Sequence, residues 1–172
     1  MNQINHYFII VAISFTALQS QAWFLFEPFI GYNKGQEQAS TLQGIGIGAR
    51  TGIEFKDLFI VVDFDYNDLQ QGAISSAKYT DTGLTFGGTF QHTRFWYGMI
   101  TSAQLSYPSG ASTVTSKGSG SKFGIGTEIN NKLNINFELR SINFTTTDPG
   151  TGASTPIAEI ATIGFLTFSW LL

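Results

Sequence analysis

Between Gly44 and Phe55 the chain reads GIGIGARTGIEF, an alternation that suits one kind of element. Ile45, Ile47, Ala49, Thr51, Ile53 and Phe55 fall on every second position, with Gly44, Gly46, Gly48, Arg50, Gly52 and Glu54 between them. Successive side chains of a β-strand point to opposite sides of the pleat, whereas a helix would scatter these residues around its surface. The segment is therefore a strand with one greasy face and one face of glycine and charge. Glycine weakens an ordinary strand, so four on one face call for a narrow space or a close backbone approach on that side.

The pattern recurs. Strands are predicted over Phe24 to Gln36, Leu42 to Phe55, Leu58 to Gln70, Ala77 to Phe90, Phe95 to Tyr107, Gly120 to Ile129, Leu133 to Thr145 and Ile157 to Leu172. These eight exceed the usual length of about 5 or 6 residues and reach the 9 to 11 or so that cross a bilayer at a tilt. The joins at Lys56-Asp57, Gln91 to Arg94 and Asn130-Asn131-Lys132 read as tight turns. Those near Gly35 to Thr41, Gln71 to Ser76, Pro108 to Ser119 and Thr146 to Pro156 are rich in Gly, Ser, Thr and Pro and read as longer, mobile loops. Short and long connections thus fall at opposite ends of the sheet.

A two-residue loop at Lys56-Asp57 sets Phe55 against Leu58, Ile53 against Ile60, Thr51 against Val62 and Ala49 against Phe64, all on the apolar face. It also sets Arg50 across from Asp63 as an opposite-charge pair, so two independent faces agree on one register. Pairing Phe90 with Phe95 places Phe86 beside Met99 and Gly88 beside Tyr97, an aromatic over a bare strand backbone. The third turn sets Ile129 against Leu133 and Ile125 against Phe137.

Alternation alone does not say which face is inside, and composition decides that. Only 12% of the 172 residues are charged, where soluble domains average about 25%. A soluble eight-stranded carrier has an apolar cavity and a charged exterior, but the polar face here is mostly Gly, Asn, Thr and Ser. An eight-stranded interior is just wide enough for side chains, so glycines suit it and the 16 Phe do not. The apolar face is therefore read as lipid-facing. Glu27, Arg50, Glu54, Asp63, Asp65, Lys122, Glu128, Glu138 and Arg140 are expected in a compensating polar network in the lumen. Phe24, Phe26, Phe55, Phe90, Phe95, Phe168 and Trp170 at the short-turn side, and Tyr32, Tyr66, Tyr79 and Tyr107 at the other, are expected to form two membrane-interface girdles.

Upstream, Tyr7 to Leu18 is an apolar run too short to span, followed by Ser20-Gln21-Ala22 with small residues where a signal peptidase reads. Residues 1–22 are read as a cleavable signal peptide, although the start, MNQINH, carries no Lys or Arg. Residues 23–172 are then one domain, an all-β, eight-stranded antiparallel up-and-down transmembrane β-barrel. The absence of cysteine excludes disulfides and thiol chemistry, and a net charge of −3 with no basic patch argues against nucleic acid.

With its export signal, FEPFIGY in the first strand, eight alternating segments and the closing IGFLTFSWLL, the chain resembles the small eight-stranded outer-membrane barrels formed by OmpX and by the OmpA transmembrane domain. The resemblance implies a bacterial outer-membrane location, contact with outer-membrane lipid and lipopolysaccharide, and a monomer. It also implies recognition by the barrel-assembly machinery through the last strand, with Leu166, Phe168 and Trp170 on the lipid face. The chain departs from that pattern in ending at Leu172 instead of an aromatic.

Three classes of function follow. The first is a structural or surface-interaction barrel with a plugged lumen. The second is a narrow pore in which the Arg50 and Asp63 pairing rearranges. The third, a lipid-modifying enzyme like some barrels of this size, needs a histidine near the outer leaflet, and His92 falls in a short periplasmic turn with no Ser-His-Asp set or GxSxG elbow. No enzyme, cofactor or metal is expected. A soluble periplasmic carrier is the remaining alternative.

Overall fold

The computed structural model describes residues 22–72, 74–130 and 132–172. Eight antiparallel strands follow one another around a closed barrel: β1 (Ala22–Glu37), β2 (Ser40–Phe55), β3 (Leu58–Gln71), β4 (Ile74–Phe90), β5 (Thr93–Ser109), β6 (Ser112–Asn130), β7 (Leu133–Asp148) and β8 (Thr155–Trp170). The seam between β1 and β8 closes it, from Phe29 opposite Ser169 to Glu37 opposite Ala161. The expected signal peptide lies outside the described residues except for Ala22, the first residue of β1.

The β2–β3 register is the one the sequence dictates, from Phe55 opposite Leu58 to Ala49 opposite Phe64. The next hairpin differs by two residues. Gln91-His92 alone makes the turn, so Phe90 pairs with Thr93, Phe86 with Tyr97 and Gly88 with Phe95. Gln91 adopts a positive φ of 50°, as Lys56 does at 54°, and neither sequence announces the turn with Gly or Asn. At the third hairpin Ile125 pairs with Phe137 as expected, but a shift between Glu128 and Asn130 sets Asn130 opposite Leu133 in place of Ile129.

The expected long loops are mostly strand. β5 and β6 run to Ser109 and from Ser112, joined around Gly110 at a φ of 62°, and only residues 149–154 form a longer connection. Hydroxyl ladders such as Ser106 to Thr115 and Ser116 to Thr147 knit segments whose polar composition reads as loop.

We call the end with the turns at Lys56-Asp57 and Gln91-His92 the lower end. In the lower half the outward residues are apolar, as in Leu58, Ile60, Val62, Phe64 and Tyr66 of β3. That run rises about 21 Å at an ordinary strand tilt, close to the apolar belt of membrane barrels. Above it the outward positions turn polar, with Asp68 and Gln70 on β3, Lys78 on β4, Gln104 on β5 and Lys117 on β6; Ile160 is an exposed apolar exception. The inside inverts with it. Polar and charged side chains, interleaved with Leu25, Phe29, Phe59, Val61 and Trp96, fill the lower and middle lumen, and Leu42, Leu69, Ile100, Leu105, Ile142 and Phe144 pack an apolar core in the upper lumen.

Candidate functional site

The inward positions of the lower half are where charge collects. The glycines noted in β2 make room for it: a Cβ at Gly48 would strike the Phe29 ring, just as one at Gly124 of β6 would strike the Trp96 indole. Large inward side chains therefore sit over glycines of neighbouring strands.

Around these rings is a continuous ion-pair network. Glu138 accepts hydrogen bonds from Trp96 Nε1 and Arg140 Nε, both at 2.7 Å, and from Arg50 Nη2 at 3.4 Å. Arg140 Nη1 donates to Asp81 at 2.7 Å, and its Nη2 lies 3.1 Å from Asp65. Asp63 accepts from Lys122 Nζ and from Thr85 Oγ1. Glu27 accepts from Arg94 Nη1 at 2.9 Å, from Asn134 and from Ser169, with Arg50 Nη1 at 3.6 Å. Three guanidiniums also stack on aromatic rings: Arg50 between Phe29 and Trp96, Arg94 on Phe59, and Arg140 on Phe165. A charge taken out of water must be paired and hydrogen-bonded, and stacking on a ring adds to both.

Of the residues singled out in the sequence, Glu27, Arg50, Asp63, Asp65, Lys122, Glu138 and Arg140 come together here. Arg50 and Asp63 are opposite in register but bond elsewhere, because Glu27 and Glu138 surround the guanidinium and Lys122 reaches Asp63. Glu54 and Glu128 point into the lower mouth instead. Glu128 lies 3.7 Å from His92 in the exposed turn, and no ion pair joins Glu54 among the described residues. Sequence reasoning misses Arg94, which reads as part of a turn that in fact ends at His92, and Asp81, although its parity with Tyr79 and Thr85 marks the inward face.

Tyr79 and Tyr107 are not girdle residues. Tyr79 is buried in the lumen, where its hydroxyl donates to Asp81 at 2.6 Å, and Tyr107 packs against the upper apolar core. A register shift between Ile100 and Ala103 turns the upper part of β5 over and carries Tyr107 inside. Phe24, Phe26, Tyr32, Tyr66, Phe90, Phe95, Phe168 and Trp170 are exposed on the outside, and Phe55 is partly covered there.

At the lower side of the network a small apolar cluster of Leu25, Phe59, Val61 and Trp96, with Leu171 packed against it, interleaves with the charged groups, Arg94 stacking on Phe59 and Trp96 bonding Glu138. Above the network lies the larger apolar core, from Leu69 and Tyr79 to Phe144 and Ile163. Asp63, Asp65 and Asp81 bring carboxylate oxygens within 4.8 Å of one another, close enough to hold a cation, but Lys122 and Arg140 already supply positive charge there. At the upper mouth Glu37 is buried beside Gln71. Burial, reinforced by the negative charge of Glu159, pushes its carboxyl up to about 7 against the opposing Gln71 hydrogen bond.

Neisserial surface protein A superposes with a TM-score of 0.58 at 14% identity, over 87% of this chain and 97% of that one. The fold is that of the small eight-stranded outer-membrane barrels. Ail of Yersinia pestis, solved with the heparin analogue sucrose octasulfate, matches this barrel at 0.54 and 9% identity over 87% and 99% of the two chains. OprG of Pseudomonas aeruginosa matches at 0.53 and 7% over 88% and 97%. No family model and no curated protein sequence matches the barrel.

Proposed function

We propose that this chain is exported by its N-terminal segment and set into the bacterial outer membrane as a monomeric, non-conducting barrel with a structural or surface-interaction role. The observation that supports this is a filled, sealed lumen: its ion-paired side chains are almost wholly buried, and an apolar core packs the lumen above them. The lower outer band faces lipid, and the upper half stands clear of the outer leaflet and presents its turns to the surroundings. Leu166, Phe168 and Trp170 on the outside of β8 supply the apolar strand face that an assembly machinery could read. A lipid-modifying activity finds no support in the described histidine, since His92 lies at the lower end.

Planar-bilayer conductance of the refolded mature chain tests this, after heat-modifiable gel migration has established a folded barrel. The expected record is silent. Discrete channel steps whose size or selectivity changes with Arg50→Ala or Asp63→Ala would overturn the sealed lumen in favour of a pore.

A further inference from the structure

The outer wall carries several shallow grooves, and one of them opens along β8. On β8, Gly164 faces outward between Thr162 and Leu166, and its missing side chain leaves the floor of a groove of about 690 Å³. Tyr32 and Lys34 of β1 form one bank, and Phe137 and Leu139 of β7 the other. A second groove of about 320 Å³ shares Phe137 and Leu166 with the first and continues along Ile125 and Ile135, within the apolar band. Together they make an apolar channel on the outside of the barrel, running toward the lower end.

Charge sits at the top of this channel. Lys34 follows Tyr32 directly on the outward face of β1, where the apolar band ends, and among the described residues it has no ion-pair partner. The other outward lysines of the upper half stand farther above the band: on β4, Thr82 and Thr80 separate Lys78 from Leu84, and on β6, Ser121 and Ser119 separate Lys117 from Phe123. Gln36, Thr41 and Thr162 surround Lys34 with hydroxyl and amide groups. An apolar trough for chains, a cation at the level of lipid phosphates and a rim of neutral hydrogen-bonding groups complement a phosphorylated, acylated sugar.

We propose that this groove is a binding site for a phosphorylated glycolipid of the outer leaflet, with an acyl chain over Gly164 and Phe137 and a phosphate on Lys34. The site rests on the membrane orientation proposed above.

Native mass spectrometry of the refolded chain, released from micelles containing bisphosphorylated lipid A or its dephosphorylated form, tests it. A Cβ at Gly164 would stand 3.5 Å from Lys34 O and from the Phe137 ring, an ordinary contact, so Gly164→Leu fills the trough without forcing the wall apart. The wild type should retain one lipid A, and Gly164→Leu should retain none. Lys34→Gln should retain about fivefold less, the worth of one lysine at an anionic lipid surface. Equal retention by all three chains, or equal retention of dephosphorylated lipid A, overturns the site; Lys34→Gln decides alone should Gly164→Leu fail to fold. Separately, a chain that does not enter phospholipid vesicles overturns the membrane orientation, whereas one that enters them and binds no lipid A overturns the groove alone.

Discussion

The lower and upper halves of this barrel are built from the same eight strands with opposite polarity. In the lower half β3 shows Ile60, Val62 and Phe64 outside and Asp63 and Asp65 inside; higher up it shows Asp68 and Gln70 outside and Leu69 inside. The inversion reports a change of solvent along one strand. Where lipid is outside, the outward row must be apolar, and the inside can hold charge only as a fully paired network. Where water is outside, the inside is free to pack like a soluble core.

Disrupting the lower network should do the most damage. Arg140→Met leaves Asp65 and Asp81 with no ion-pair partner among the described residues and takes one of three from Glu138, and removing one member of a buried pair costs about 3–5 kcal/mol. Urea unfolding from lipid vesicles should show a loss of that size, and a near-neutral effect would mean that water reaches the lumen.

In the upper half an apolar deletion should matter for the reason it does in a soluble protein. Ile142 is fully buried, and Ile142→Ala should cost about 2–5 kcal/mol by lost burial and the cavity left behind. Tolerance of Ile142→Ala would show that the upper lumen is hydrated, and the contrast with the lower half would fail.

A smaller effect, with a pH signature, belongs to the upper mouth. The Glu37 carboxyl is raised from 4.5 to about 7, so between those values the folded chain keeps a proton that the unfolded chain has released. Stability from this group is therefore complete below about pH 4.5 and falls as the pH climbs toward 7, the reverse of an ordinary ion-paired carboxylate. Glu37→Gln should flatten that slope and stabilise the barrel at pH 8, by up to about 3 kcal/mol at 1.36 kcal/mol per unit. Parallel wild-type and Glu37→Gln profiles would place Glu37 in open water.

The same comparison explains what could be read in the sequence. The lower half was legible because lipid outside and charge inside give the strongest alternation a strand can carry, and the β2–β3 register followed from it residue by residue. The upper half was not. Outward Ser119 and Lys117 and inward Gly118 and Ser116 give β6 no apolar period there, so a paired strand resembles a loop. Tyr107 was misplaced because a local shift reverses β5 and no residue type announces it. Arg94 was lost to a turn without glycine, whereas Tyr79 could have been placed inside by parity with Asp81. The network's membership was thus largely visible, but its pairing was not, since partners such as Lys122 and Asp63 lie on strands that sequence order does not bring together.

The most direct test puts the same charge on the same outer face in both halves. Val62 lies at the middle of the apolar run of β3, and Thr80 faces outward above it on β4. In urea unfolding from lipid vesicles, Val62→Lys should cost about 2–4 kcal/mol, as a lysine does near the bilayer midplane. Thr80→Lys should stay within about 0.5 kcal/mol, as for an ordinary surface position. Equal costs at the two positions would contradict a barrel that passes from lipid to water between them.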